Sequence, residues 1–295
     1  MPTDTAPARV LVLGLGYSGR HLAALLHAQG IACSGTVRDP STAPDDGVIR
    51  HRLAEGHPID AALEEAIRSA DAILCSIPPD AEGDPALRLL GEALQDAPAL
   101  RWLGYFSSTA VYADRDGGWI NLDAAADATD DTALKRLRAE GQWQAFAQAR
   151  GIASAVFRLP ALYGRGRNAL VQLAQGTARQ VVRPGQVFNR LHVEDLATAA
   201  LAAMHRSREN ALYLPADDEP APSQDVLAYA AALSGLPLPA AQAWDDPALP
   251  ASLRRFYSSN KRIDSRGTRE ALQWQPRFPT YREGLADAWA HGDGR

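Results

Sequence analysis

"RVLVLGLGYSGRHLAALLHAQG" (residues 9–30) holds three patterns in succession. Residues 10–13 form an unbroken apolar run, as in a strand buried on both faces. Gly14, Gly16 and Gly19 follow at G-x-G-x-x-G spacing, and apolar residues then recur at helical spacing until Gly30 closes the helix. In this order the first glycine permits a tight turn, the second lets backbone approach a pyrophosphate, and the third lets helix and strand pack closely. The helix N-terminus adds unpaired N–H groups and a positive dipole. The stretch predicts a dinucleotide-binding turn at Gly14, Gly16, Tyr17, Ser18, Gly19 and Arg20.

Strand-like and helix-like segments continue to alternate on both sides of residue 100, as right-handed βαβ units over a parallel sheet require. "IACSGTVR", "VIRHRLA", "DAILCSIPP" and "LRWLGYFSST" read as strands, and "IDAALEEAIRSA" and "DPALRLLGEALQDA" as helices. "TALKRLRAEGQWQAFAQARG" reads as a long helix with Asp130 or Asp131 near its N-cap and Gly151 beyond its end. "IASAVFRLPALYG" is a sixth strand running into a turn. The expected class is α/β, a Rossmann-type doubly wound parallel sheet with a smaller C-terminal substrate lobe. Residues 1–160 would form the cofactor domain, completed by parts of 187–215, and 161–295 would form most of the lobe.

The 295 residues are 46% hydrophobic and 22% charged, ordinary for a globular chain with an ample core. No apolar run approaches the roughly 18 residues of a membrane span, and "MPTDTAPARV" has no secretory pattern. With Cys33 and Cys75 inside strand-like runs, a reducing cytoplasm is the expected compartment. The seven histidines are scattered, so no metal site is expected. A net charge of −5 argues against nucleic acid. Locally the balance reverses: residues 160–193 hold Arg165, Arg167, Arg179, Arg183 and Arg190 and no carboxylate, which suits an anionic small molecule. Arg165, Arg167, Arg183 and Arg190 are the expected substrate ligands.

An NAD site places an acid at the end of the second strand, for the ribose 2′-hydroxyl. Here that strand ends "GTVRD", so Arg38 precedes Asp39. Arg38 could grip a 2′-phosphate, with Arg20 near enough to help, which favours NADP, while Asp39 keeps NAD open. Ser76, Ile77 and Pro78, at the end of the fourth strand, are further expected cofactor neighbours.

Five ordered segments, "GLGYSG", "YFSSTAVYA", "FRLPALYGRGR", "NRLHVEDLATAAL" and "SSNKRIDSRGTREALQWQPRFPTYREGL", resemble the extended short-chain dehydrogenases/reductases, the NAD-dependent epimerase/dehydratase family. The resemblance spans nearly the whole chain. It implies that Ser108, with Thr109 beside it, holds a substrate oxygen, and that Pro160 and the backbone of 161–163, Leu162 included, lie beside the nicotinamide. It also implies folding roles, a helix cap and a buried hydrogen bond, for His192 and Asp195. Helices of the cofactor domain could form a homodimer face, as in relatives.

One motif departs. The family's Tyr-x-x-x-Lys pair falls on Thr132 and Arg136, and no tyrosine occurs between Tyr112 and Tyr163. A threonine hydroxyl is too weak an acid to replace the tyrosine, and a guanidinium does not release its proton. Tyr112 at the strand end, Tyr163 in the turn and Asp131 with a raised pKa are the conceivable substitutes. Two readings follow: a reductase or epimerase acting on an anionic small molecule, such as a nucleotide sugar, through another acid, or a non-catalytic NADP(H)-binding sensor or scaffold.

Overall fold

A computed structural model describes residues 6–42, 44, 46–206 and 210–295. The first five residues, part of the N-terminal stretch read above for a leader, lie outside them. The chain runs β1 (Arg9–Leu13), α1 (Tyr17–Ala28), β2 (Ala32–Val37), β3 (Ile49–Arg52), α2 (Ala61–Ser69), β4 (Ala72–Cys75), α3 (Pro85–Gln95) and β5 (Trp102–Ser108). β6 (Trp119–Ile120), α4 (Asp131–Arg150), β7 (Ala153–Leu159) and β8 (Ala161–Tyr163) follow. Then come α5 (Ala169–Ala174), β9 (Gln180–Val182), β10 (Arg190–His192), α6 (Val193–His205), β11 (Ala211–Tyr213) and α7 (Ser223–Ser234). The chain closes with β12 (Ala241–Ala243), α8 (Ala251–Phe256), β13 (Arg262–Ile263), α9 (Arg266–Leu272) and α10 (Tyr281–Ala290).

Seven strands form one parallel sheet in the order β11-β7-β5-β4-β1-β2-β3. The winding direction reverses between β1 and β4, and ligands of such sheets bind at that crevice, beyond the strands' carboxyl ends. One face is covered by α1 and α6, which bury Leu22, Leu26, Leu196 and Ala200 against Val10, Val12 and Phe157. The other is covered by α2, α3 and α4, through Leu63, Ile67, Leu90, Leu94 and Trp143. This is a Rossmann-type α/β fold. A third apolar cluster, with Leu170, Leu227 and Leu285, holds α5, α7 and α10 together as the smaller lobe.

Local chemistry sets the ends of α4. Asp130 accepts from the N–H groups of Thr132 and Ala133, and Gly151 ends the helix at φ +63°. The strand expected over 152–164 is two strands. Pro160, which has no N–H, interrupts the ladder after Leu159, and β8 leaves the sheet to pair with β10. β11 returns the chain to the sheet edge beside β7. Within the Pro-rich stretch 236–250, β12 pairs with β9, an element that composition gave no sign of.

Candidate functional site

At the β1–β4 crevice the turn is built almost wholly from backbone. Gly14 has φ +95°, and its N–H donates to Thr36 Oγ1 at 2.9 Å. Its carbonyl accepts from Ser76 Oγ at 2.6 Å, and a Cβ here would stand 2.9 Å from Ile77 Cγ1. Across the turn, a Cβ on Gly19 would stand 2.4 Å from the Gly14 carbonyl oxygen, so α1 packs against the loop only because that position is bare. Gly16 is the opposite case. It is the N-cap of α1, and among the described residues no side chain caps the helix and a Cβ there would find no atom within 4 Å. Open space therefore faces the unpaired N–H groups of the first turn, and these residues fit a dinucleotide pyrophosphate.

Around this turn Tyr17 and Ser18 are half-buried and Arg20 is exposed. Tyr17 lies under the Arg167 guanidinium, 5.2 Å from the ring centroid, and burial pushes its hydroxyl up to about 12. Ser76 and Ile77 close the crevice from the β4 side, with Pro78 exposed beyond them. Arg38 follows directly on β2, exposed and without a hydrogen bond or ion pair to any described residue. Asp39 is engaged locally: it accepts from the Ser41 N–H (3.0 Å) and hydroxyl (2.8 Å) and meets Arg52 at 3.3 Å.

At the carboxyl end of β5 the construction changes. Ser108 Oγ accepts from Ala110 N–H at 3.1 Å and so caps the short turn Thr109–Val111, and Thr109 Oγ1 donates to the Leu159 carbonyl at 3.3 Å. The Arg136 guanidinium donates to the Phe106 carbonyl at 3.1 Å, which brings the residue at the family's lysine position to the end of β5. Thr132 lies exposed in the first turn of α4, and Asp131 is exposed and paired with Lys135 at 2.6 Å.

Two expected acids are held elsewhere. The Tyr112 ring is buried, its hydroxyl accepts from Arg158 Nη1 at 2.9 Å, and burial raises its pKa. Tyr163 donates to the Thr280 carbonyl at 3.1 Å and fills the space over Gly284, where burial pushes its pKa far up. Burial disfavours ionisation of both hydroxyls.

Behind β5 lies a network that the sequence reading did not find. Glu140 accepts from Ser107 Oγ at 2.5 Å and from Arg158 Nη2 at 2.8 Å and Nε at 3.2 Å, all three residues being buried. The available signal was an arginine inside the apolar strand "AVFRL" and a glutamate between Ala139 and Trp143. A second missed residue is Lys261, one of only two lysines in the chain. It is buried, and its Nζ donates to the Tyr112 carbonyl at 2.5 Å and to Ser259 Oγ at 2.7 Å.

The arginines expected to form one cationic surface are dispersed. Arg165 makes a two-pronged pair with Asp287 (2.9 and 3.2 Å). Arg183 donates to Gln186 Oε1 and the Tyr257 carbonyl and covers the Trp244 ring. Arg190 is interior: it donates to the carbonyls of Phe188 and Ala221 and neighbours Asp217, whose carboxyl burial pushes up to about 8. Of the four, only Arg167 is exposed without an ion pair to a described residue. His192 caps α6 through Nδ1, its pKa lowered by burial to about 4, and Asp195 accepts from the N–H groups of Arg277 (2.7 Å) and Phe278 (3.0 Å). Among the described residues no helix is long and apolar enough to cross a membrane.

No family model matches the chain. It is 31% identical to a 3-diazoavenalumate denitrifying reductase from a Streptomyces species, across 94% of this chain and 99% of that one. It is also similar to a solved, functionally unknown conserved protein from Silicibacter pomeroyi, with 38% identity, a TM-score of 0.87, and 98% and 100% of the two chains covered. The fold is shared more widely. A dTDP-glucose 4,6-dehydratase from Bacillus anthracis, solved with NAD, superposes with a TM-score of 0.76 at 15% identity, covering 97% of each chain. With the glycine turn at the switch point and a reductase relative along almost its full length, the chain belongs to the NAD-dependent epimerase/dehydratase family of the short-chain dehydrogenases/reductases.

Proposed function

We propose that this protein is an NADP-dependent reductase of an anionic small molecule, using a proton donor other than the family tyrosine. The observation that carries the cofactor choice is the end of β2. Arg38 is exposed and pairs with no described residue, while Oδ1 of the neighbouring Asp39 accepts from Ser41 and Arg52. A planar guanidinium suits a 2′-phosphate, and it comes first after β2, ahead of a carboxylate whose Oδ1 already takes three local donors. The reductase relative supports reduction, and its substrate's name denotes an anion. Arg167, exposed beside the glycine turn over Tyr17, is the cation best placed to meet such a substrate.

When bound, the nicotinamide supplies hydride chemistry. The chain's own part is to hold the dinucleotide on the first turn of α1, to orient the acceptor at Ser108, and to furnish a proton. Titration with NADPH and NADH by fluorescence tests the cofactor, and NADPH absorbance with a panel of carboxylated carbonyl, diazo and nucleotide-sugar compounds tests turnover. Tighter NADPH binding with consumption on one class supports the proposal. Thr132 exposed at the tyrosine position favours a second reading, a non-catalytic NADP(H) sensor. Tight binding without consumption would select it.

A further inference from the structure

We infer that Lys261 is the proton donor of this site, its ammonium passing a proton to the acceptor atom made electron-rich by hydride addition. This rests on the reductase reading above. The geometry is a junction of three segments. Nζ is held by the Tyr112 carbonyl (2.5 Å), at the end of the turn that Ser108 caps, and by Ser259 Oγ (2.7 Å). An ammonium has three N–H donors, and the third has no acceptor among the described residues.

The lysine backbone is fixed toward the other wall. Asn189 Nδ2 donates to the Lys261 carbonyl (2.8 Å), and Asn189 Oδ1 accepts from Ile263 N–H (2.8 Å). The Asn189 carbonyl accepts from Ala161 N–H (3.3 Å), immediately after Pro160. Lys261 thus sits between the Ser108–Tyr112 turn and the start of β8, the two segments expected to face the reacting oxygen and the nicotinamide. The other candidates are less well suited: Tyr163 gives its O–H to the Thr280 carbonyl, burial raises the pKa of Tyr112, and Thr132 and Asp131 lie on the surface.

The electrostatics fit the role. Burial opposes the charge on Lys261 and brings its pKa down to about 8. Asp114, Asp127 and Asp130 favour the charged form and Arg115 opposes it. Asp114 is itself held by Asn260 N–H (2.5 Å) and Asp127 by Arg115 (2.8 Å). The group is charged near neutral pH and close to releasing its proton, which general acid catalysis favours.

The step balances as follows. The acceptor carbon gains hydride from NADPH, forming a C–H bond, while the π pair of the acceptor double bond moves to its heteroatom. That atom takes a proton as one Nζ–H bond breaks, and the neutral amine regains a proton from water. Each acceptor reduced consumes one NADPH and one proton and yields NADP⁺.

The test uses the whole protein with NADP⁺ and NADPH alone, which differ at the nicotinamide by one positive charge. A lysine beside the ring disfavours NADP⁺ while protonated. The ratio Kd(NADP⁺)/Kd(NADPH) should therefore fall by about fivefold as pH rises through about 8, the size expected of two charges several ångströms apart at partial burial. The fall should be absent in Lys261→Met, which removes the charge, and in Lys261→Arg, which keeps it at all pH values. If those variants misfold, NMR of wild-type protein carrying labelled lysine resolves two side-chain signals, and the Lys261 signal should titrate lower with NADP⁺ than with NADPH. Binding of both cofactors with a flat ratio, or a fall that persists in Lys261→Met, overturns the assignment and leaves the cofactor reading intact. Failure to bind either cofactor overturns both.

Discussion

The ends of β1 and β5 lie on the carboxyl edge of one sheet, to either side of β4, and are built in opposite ways. After β1, the site consists of backbone: the close approach of Gly19 to Gly14, the positive φ of Gly14 and the bare N-cap Gly16 all arise within six residues. After β5, the site is held by side chains from distant segments: Glu140 from α4, Arg158 from β7, and Lys261 from 149 residues beyond Tyr112. A backbone site resists an added atom where the chain closes on itself, as at Gly14 and Gly19, whereas a side-chain network resists removal of any partner. The first should fail by steric conflict and the second by stranded charge.

The largest effect is expected where charge is stranded. Glu140→Ala leaves Arg158 buried without its carboxylate and should cost about 3–5 kcal/mol in urea denaturation. A loss near zero would mean that the end of β5 is held some other way. Next comes steric conflict at the opposite end. Gly19→Ala places a methyl group 2.4 Å from the Gly14 oxygen and should lower stability by about 1–3 kcal/mol. NADPH affinity should fall with it, and wild-type affinity in a calorimetric titration would show that close packing of α1 is unnecessary for the cradle.

A smaller and more selective change is expected at Arg38. Arg38→Ala should weaken NADPH by roughly tenfold, as one charge-assisted hydrogen bond implies, and leave NADH within about twofold. Equal losses for both cofactors would remove the 2′-phosphate assignment. Thr132→Val should do least: the residue is exposed, so stability should stay within about 0.5 kcal/mol and cofactor affinity should not move. A large loss of affinity would return Thr132 to the site and undo the contrast between the two ends.

The same contrast explains what could be read from the residues alone. G-x-G-x-x-G after an apolar run predicts a turn because steric requirements act between near neighbours, and Asp130 and Gly151 mark α4 for the same reason. The cationic surface proposed from five arginines did not survive, because a run of like charge in sequence says nothing about partners. Asp287, which takes Arg165, lies 122 residues further on, and Arg190 turns inward to two backbone carbonyls. The burial of Tyr112 was hidden likewise, since the partner of its hydroxyl, Arg158, belongs to a strand 46 residues away.

By itself the sequence determined the βα alternation, the dinucleotide turn and the absence of a tyrosine from the stretch before Tyr163, since each is a matter of residue type and short-range spacing. Only the tertiary structure decided that Pro160 sends β8 out of the sheet, that Glu140 and Arg158 pair behind β5, and that Lys261 reaches the Ser108–Tyr112 turn. Burial, pairing and pKa depend on which remote groups share a low-dielectric space, and folding alone brings those groups together.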